Sequence, residues 1–217
     1  MKKTGSALLL WILLLLPGMN PGASEAAGTI VAFGDSITAG YPYIENGNGC
    51  TYCLGYEYYL QYLLDYYQGT GAYVYNYGIS GERLLTGGVN RIDSVMASTG
   101  ADYVLIMEGT NDLRHYVNPE TVAYNLSLVA SKVAQQGGVP IVATLTPDTR
   151  YGADWKNIAT TNEYIKSYNA QFCLSDQYSA MLPYWNSTYT DDYLHPNYSG
   201  YWLMAATWYA SLLNCGY

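Results

Sequence analysis

Short runs of β-branched and aromatic residues alternate along this chain with segments whose apolar residues recur every three or four positions. The first run, residues 29–33 (TIVAF), reads as a buried strand; Gly34 follows it, where a side chain would obstruct a sharp turn. Similar runs at 72–77, 103–107 and 139–145 predict strands two to four, and 180–184 reads as the fifth. Between them, Leu60, Leu63 and Leu64 share one face of a helix predicted over 55–67, and a weaker pattern covers 89–98. The clearest helix opens with Asn118 as N-cap and Pro119 in the first helical position. It carries Val122, Leu126, Val129 and Val133 on one face and stops at Gly137-Gly138. Two more helices are expected over 157–172 and 200–214, with long loops at 41–53, 146–155 and 186–198. Strands alternating with helices imply a parallel sheet covered on both faces, and no repeat or linker divides it.

The N-terminus departs from this pattern. Lys2 and Lys3 precede an unbroken apolar run over 7–16, then Pro17-Gly18, then the small residues Ala23, Ser24, Ala26 and Ala27. That is the layout of a secretory signal peptide, and the run is too short to span a bilayer. Cleavage is expected after Ala26, with Ser24 as the alternative, leaving 27–217 as one exported domain, secreted or periplasmic. No cysteine near the cleavage site offers an N-terminal lipid anchor. The formal charge changes from −8 to 7 − 16 = −9 on removal of Lys2, Lys3 and Glu25. Such an acidic balance argues against nucleic acid or anionic membrane surfaces as partners.

Export predicts disulfides among the four cysteines, and Cys50–Cys53 with Cys173–Cys215 is the favoured pairing. The second bond would tie the last helix to the helix before it. The Cys50–Cys53 motif has no flanking cation, so a static staple fits better than a redox site, and zinc lacks a second close cysteine pair. Tyrosine is abundant, at 26 residues. Its broad face and polar tip suit sugar or acyl contacts, although most tyrosines are expected simply to keep a lysine-poor surface soluble. Asn125, Asn186 and Asn197 begin Asn-x-Ser/Thr sites, relevant only in a host that glycosylates exported proteins.

Gly34-Asp35 delivers Ser36 at the carboxyl end of the first strand, where open α/β sheets place ligand sites. A serine there becomes a nucleophile only with a base to take its proton and donors to hold an oxyanion. There are two histidines. His195 follows Asp192 by three residues, close enough for the carboxylate to reach Nδ1 and leave Nε2 as base; Asp191 is the alternative. His115 has no comparable partner and reads as a surface or pocket-wall residue. Ser80 is a rival nucleophile, but the chain contains no GxSxG pentapeptide. Asp35 and Asp112 read as turn braces, Arg83 as a solvated cation, and Glu108 is given no role.

Four segments in order resemble the blocks of the SGNH hydrolases, also called GDSL-type esterases and lipases. They are Gly34-Asp35-Ser36-Ile37-Thr38, with isoleucine in place of the eponymous leucine; Gly78 in Asn76-Tyr77-Gly78-Ile79-Ser80-Gly81; Gly109-Thr110-Asn111-Asp112; and Asp192-Tyr193-Leu194-His195. The resemblance implies a three-layer α/β/α sandwich with a five-stranded, flavodoxin-like parallel sheet. It assigns Ser36 as nucleophile, His195 as base and Asp192 as its orienting residue. The implied oxyanion donors are the Ser36 and Gly78 backbone N–H groups and the Asn111 amide. It implies no metal or organic cofactor, and a small-molecule, lipid or acylated-glycan ester as substrate. A secreted acyl esterase, lipase or lysophospholipase is the leading expectation. Acetyl esterase or thioesterase chemistry is the alternative, as is a silent glycan- or lipid-binding module, which would be expected to have lost at least one site residue.

Overall fold

The computed structural model describes residues 28–43, 55–69, 71–151 and 155–217; the expected signal peptide and the Cys50–Cys53 pair lie outside them. Strands β1 (Thr29–Gly34), β2 (Tyr73–Gly78), β3 (Tyr103–Met107), β4 (Val139–Ala143) and β5 (Cys173–Ser175) form one parallel sheet in the order β2-β1-β3-β4-β5. The first connection runs one way across the sheet and the later ones run the other. A crevice therefore opens at the carboxyl ends of β1 and β3.

Parallel strands need cover on both faces, which explains their unbroken apolar runs. Ile30, Val31, Phe33, Leu105, Ile106, Ile141 and Val142 are all fully buried. One cover pairs α2 (Tyr56–Tyr67) with α8 (Tyr198–Asn214); in the other, α5 (Pro119–Gln135) packs against α3 (Val89–Thr99) and α6 (Trp155–Tyr168). Helix α5 follows its sequence pattern closely. The Asn118 side chain accepts the Glu120 N–H at 2.9 Å, and Val122, Leu126, Val129 and Val133 are fully buried. Each such side chain contributes about 1.5–3 kcal/mol relative to exposure.

The expected fifth strand at 180–184 is not a strand. Ala180 and Met181 end helix α7 (Gln177–Met181), and Leu182–Tyr184 forms a 3₁₀ turn. Asp176 nucleates α7 by accepting the Ser179 N–H at 3.2 Å, and Pro183 has no N–H to give to a ladder. The true β5 has three residues and pairs only with β4, too short to show alternation in sequence. Helix α6 correspondingly ends at Tyr168, short of residue 172, where the Asn169 side-chain amide donates to the Ile165 carbonyl at 2.9 Å. Cys173 and Cys215 are disulfide-bonded as expected, with Cα atoms 6.1 Å apart, but Cys173 opens β5. The bond ties the chain's last turn to the sheet edge and not to a helix.

Two glycines let the elements at the crevice approach closely. A Cβ on Gly34 would lie 2.2 Å from the Met107 carbonyl oxygen, and one on Gly78 would lie 2.1 Å from the Ala39 nitrogen. Helix α1 (Ser36–Ala39) is thereby seated directly on the ends of β1 and β2.

Candidate active site

Ser36 is held by its predecessor. Asp35 caps α1, its Oδ1 accepting the Ile37 N–H at 3.0 Å, so it braces the turn as its position in the sequence suggested. Burial pushes the Asp35 carboxyl up to about 7, with Asp112 and Glu82 adding to the rise against the Ile37 hydrogen bond. Ser36 takes the first position of α1, where backbone N–H groups have no partner within the helix.

His195 reaches Ser36 from a loop closed by an antiparallel bridge between Thr190 and Pro196. Inside it, Asp192 Oδ1 accepts the N–H groups of Leu194 at 2.9 Å and His195 at 2.7 Å, with Tyr193 at φ +68°. The Thr190 hydroxyl donates to the His195 carbonyl at 2.7 Å. Asp192 Oδ2 lies 2.7 Å from His195 Nδ1, and Nε2 lies 3.1 Å from Ser36 Oγ, across 159 residues of sequence. Partial burial raises the Asp192 pKa, but hydrogen bonds from the His195 ring, the His195 N–H and the Leu194 N–H outweigh it and hold the carboxyl below its usual value. An ionised carboxylate only accepts, so Nδ1 carries the hydrogen and Nε2 offers its lone pair to the hydroxyl. Asp191 instead accepts from Asn197 Nδ2 at 3.1 Å. His115 is exposed at the end of α4 (Thr110–Arg114), outside the site.

The expected oxyanion donors divide. Asn111 donates one amide hydrogen to the Glu82 carbonyl at 2.8 Å, which leaves a second. Gly78 requires a correction: its N–H is taken by Asn76 Oδ1 at 2.8 Å, and its Cα side is packed against α1. It is therefore engaged in holding β2 to α1. The chain turns sharply just after Gly78. The Glu82 N–H donates to the Ile79 carbonyl at 3.0 Å, and Gly81 sits third in that turn at φ +79°, where glycine is favoured. Asp112, fully buried, braces this segment by accepting the N–H groups of Leu84 at 2.7 Å and Leu85 at 3.2 Å. Arg83, expected to be solvated, has its Nε 3.9 Å from Asp112 Oδ1.

The Tyr41 ring lies against the imidazole, with centroids 4.4 Å apart. Beyond it a cleft of about 180 Å³ is walled by Tyr41, Tyr43, Asp192 and Pro196. Ser36 does not line this cleft, so it adjoins the reacting centre without being its seat. Among the described residues no group of three or more His, Cys, Asp or Glu side chains is placed to hold a metal ion.

A hydroxyl on an imidazole, an imidazole on a carboxylate and a spare amide N–H are the parts of acyl transfer. The sequence model of the GDSL-like lipase/acylhydrolase family matches residues 32–203. The chain belongs to this family. As a GDSL hydrolase it is an ester hydrolase, and its fold is shared by solved structures of low identity. LAE5, an α/β hydrolase from the metagenome of Lake Arreo, Spain, superposes with a TM-score of 0.74 at 20% identity, covering 90% of this chain and 100% of its own. Axe2, an acetylxylan esterase from Geobacillus stearothermophilus, gives 0.72 at 20%, covering 88% and 95%. A lipolytic protein of the G-D-S-L family from Veillonella parvula gives 0.66 at 23%, covering 82% and 94%. No curated protein matches the chain in sequence.

Two features of this GDSL hydrolase were not legible as site residues. Asn76 joins three elements, accepting from Gly78 while donating to the Thr38 carbonyl at 2.9 Å and to Glu57 Oε1 at 2.7 Å. Its place two residues before Gly78 was the available signal. The second comprises two buried carboxyls, Glu57 and Glu108. Burial pushes Glu57 up to about 8. Burial, then Glu82 and Asp35, push Glu108 up to about 9 against the pull of Arg91. Both Glu108 carboxyl oxygens are buried without a hydrogen-bond partner, while Arg91 is committed to Glu82 and to the Tyr77 carbonyl.

Proposed function

We propose that this chain is an exported serine esterase that cleaves carboxylic esters through an acyl-Ser36 intermediate. The observation that carries the proposal is the unbroken relay from Ser36 Oγ to His195 Nε2 and from Nδ1 to Asp192. His195 Nε2 takes the Ser36 proton as Oγ bonds to the ester carbonyl carbon. The carbonyl electrons move onto oxygen, which is held by the Ser36 N–H, the free Asn111 amide hydrogen and the Gly81 N–H in the place expected of Gly78. As the carbonyl re-forms, the C–O bond to the alcohol breaks and the alcohol takes the proton from Nε2. Water then repeats the steps and releases the acid. Each donor is worth roughly 3 kcal/mol of transition-state stabilisation.

Export is part of the proposal. It is supported by the signal-peptide pattern of residues 1–26 and by a disulfide that an oxidising compartment preserves. No helix among the described residues is long and apolar enough to cross a membrane. Hydrolysis of p-nitrophenyl acetate and butyrate tests the chemistry: the purified protein turns them over and Ser36→Ala, equally folded by circular dichroism, does not. Equal turnover by that variant removes Ser36 from the mechanism.

A further inference from the structure

The tyrosines of α2 and α8 are not scattered. Tyr43, which walls the cleft beside His195, stacks on Tyr198 at 3.9 Å, with the ring planes 21° apart. Tyr198 and Trp202, four residues apart, share one face of α8. Tyr59 meets Trp202 at 5.4 Å, Trp202 meets Tyr62 at 6.1 Å, and Tyr62 lies near-parallel to Tyr66 at 6.0 Å. Tyr198, Trp202, Tyr62 and Tyr66 are 50%, 40%, 54% and 68% exposed. Aromatic surface therefore extends from the cleft beside His195 along the outside of the α2/α8 layer.

The chemistry of this strip selects its occupant. Neither α2 nor α8 contains a lysine or arginine, so an anionic polymer or anionic lipid finds no counter-charge. An interfacial lipid-binding helix is rich in Lys and Arg on its polar face, and these helices carry none beside their exposed tyrosines and tryptophan. Rings with an apolar face and a polar tip match the C–H faces and hydroxyl rims of sugars. Tyr58, Tyr62 and Tyr66 recur every four residues on α2, a rise of about 6 Å per step, similar to the advance of one sugar unit in an extended polysaccharide.

We propose that the α2/α8 face is a docking track for a neutral, O-acylated polysaccharide, leading the polymer to the Tyr43 end where its ester meets Ser36. This names the substrate class for the esterase proposed above and rests on that reading. The test uses the mature protein and a Tyr62→Ala/Tyr66→Ala/Trp202→Ala variant, all three side chains lying outside the catalytic relay. Three readouts are taken: p-nitrophenyl acetate hydrolysis, acetate release from acetylated xylan, and retention of each protein, also in the Ser36→Ala background, on insoluble xylan.

The expected result is p-nitrophenyl acetate turnover within twofold of the unaltered protein, at least tenfold lower kcat/KM on the polymer, and lost retention in both backgrounds. Polymer hydrolysis and retention unchanged by the triple substitution overturn the track. So does aromatic-dependent binding to phosphatidylcholine vesicles without retention on xylan, which assigns the face to lipid. Retention on xylan that needs the three aromatics, with no turnover of any ester, leaves the track standing and overturns the esterase mechanism instead.

Discussion

Replacing Asp192 separates two functions that its carboxylate combines. Oδ2 stabilises the imidazolium formed when His195 takes the Ser36 proton, while Oδ1 holds the loop through the Leu194 and His195 N–H groups. Two unit charges at the observed 2.7 Å attract by about 6 kcal/mol at an effective dielectric of about 20. The Asp192 side chain is 47% exposed, and solvent screening reduces this to about 3 kcal/mol. Asp192→Ala is therefore expected to lower kcat by roughly 10²-fold. Asp192→Asn keeps the Oδ1 contacts but presents an N–H₂ group to Nδ1, forcing the hydrogen onto Nε2, where it blocks proton uptake from Ser36. Its loss is expected to exceed that of alanine, at roughly 10³–10⁴-fold. Steady-state hydrolysis of p-nitrophenyl butyrate, with folding checked by thermal melts, measures both. Asparagine within threefold of the unaltered enzyme, or clearly more active than alanine, would refute the orienting role of Asp192.

The remaining predictions concern stability and the oxyanion donors. Cys173 and Cys215 close a loop of 42 residues, so Cys173→Ser/Cys215→Ser is expected to cost about 4 kcal/mol in urea unfolding; an unchanged midpoint contradicts this. Glu108 has a folded-state value of about 9 against an ordinary 4.5, so its contribution is complete below pH 4.5 and is lost as pH rises towards 9. The melting temperature should fall over that window, and Glu108→Gln should flatten the fall; an equally steep profile in the variant counts against burial as the cause. Asn111→Ala should lower kcat by roughly 10²-fold with little change in KM, and a loss confined to KM would move Asn111 out of the oxyanion site.

Much of the architecture was legible because β1, β3 and β4 are buried on both faces and carry unbroken apolar runs. The fifth was not. Three residues at a sheet edge give no periodicity, while 180–184 is apolar because Met181 packs into the core at the end of a helix. In the site, the spacing of Asp192 and His195 indicated their meeting, because a loop of three residues can return a carboxylate to Nδ1. Asp192 was already preferred to Asp191; the backbone direction that favours it lies in the Thr190–Pro196 bridge and the Tyr193 turn. That the Gly78 N–H is already taken was hidden because the residue that takes it, Asn76, stands two positions earlier in the same strand as an apparently ordinary polar residue. The buried carboxyls were equally hidden, since burial of Glu108 arises from its packing under Gly88, far from it in sequence.

Reaction with a fluorophosphonate probe tests most directly whether Ser36 Oγ is activated by His195. The mature protein should gain one covalent adduct, mapped by tandem mass spectrometry to Ser36 and absent from both Ser36→Ala and His195→Ala. A folded protein that stays unlabelled while it hydrolyses p-nitrophenyl acetate, or an adduct on another serine such as Ser80, would contradict the account.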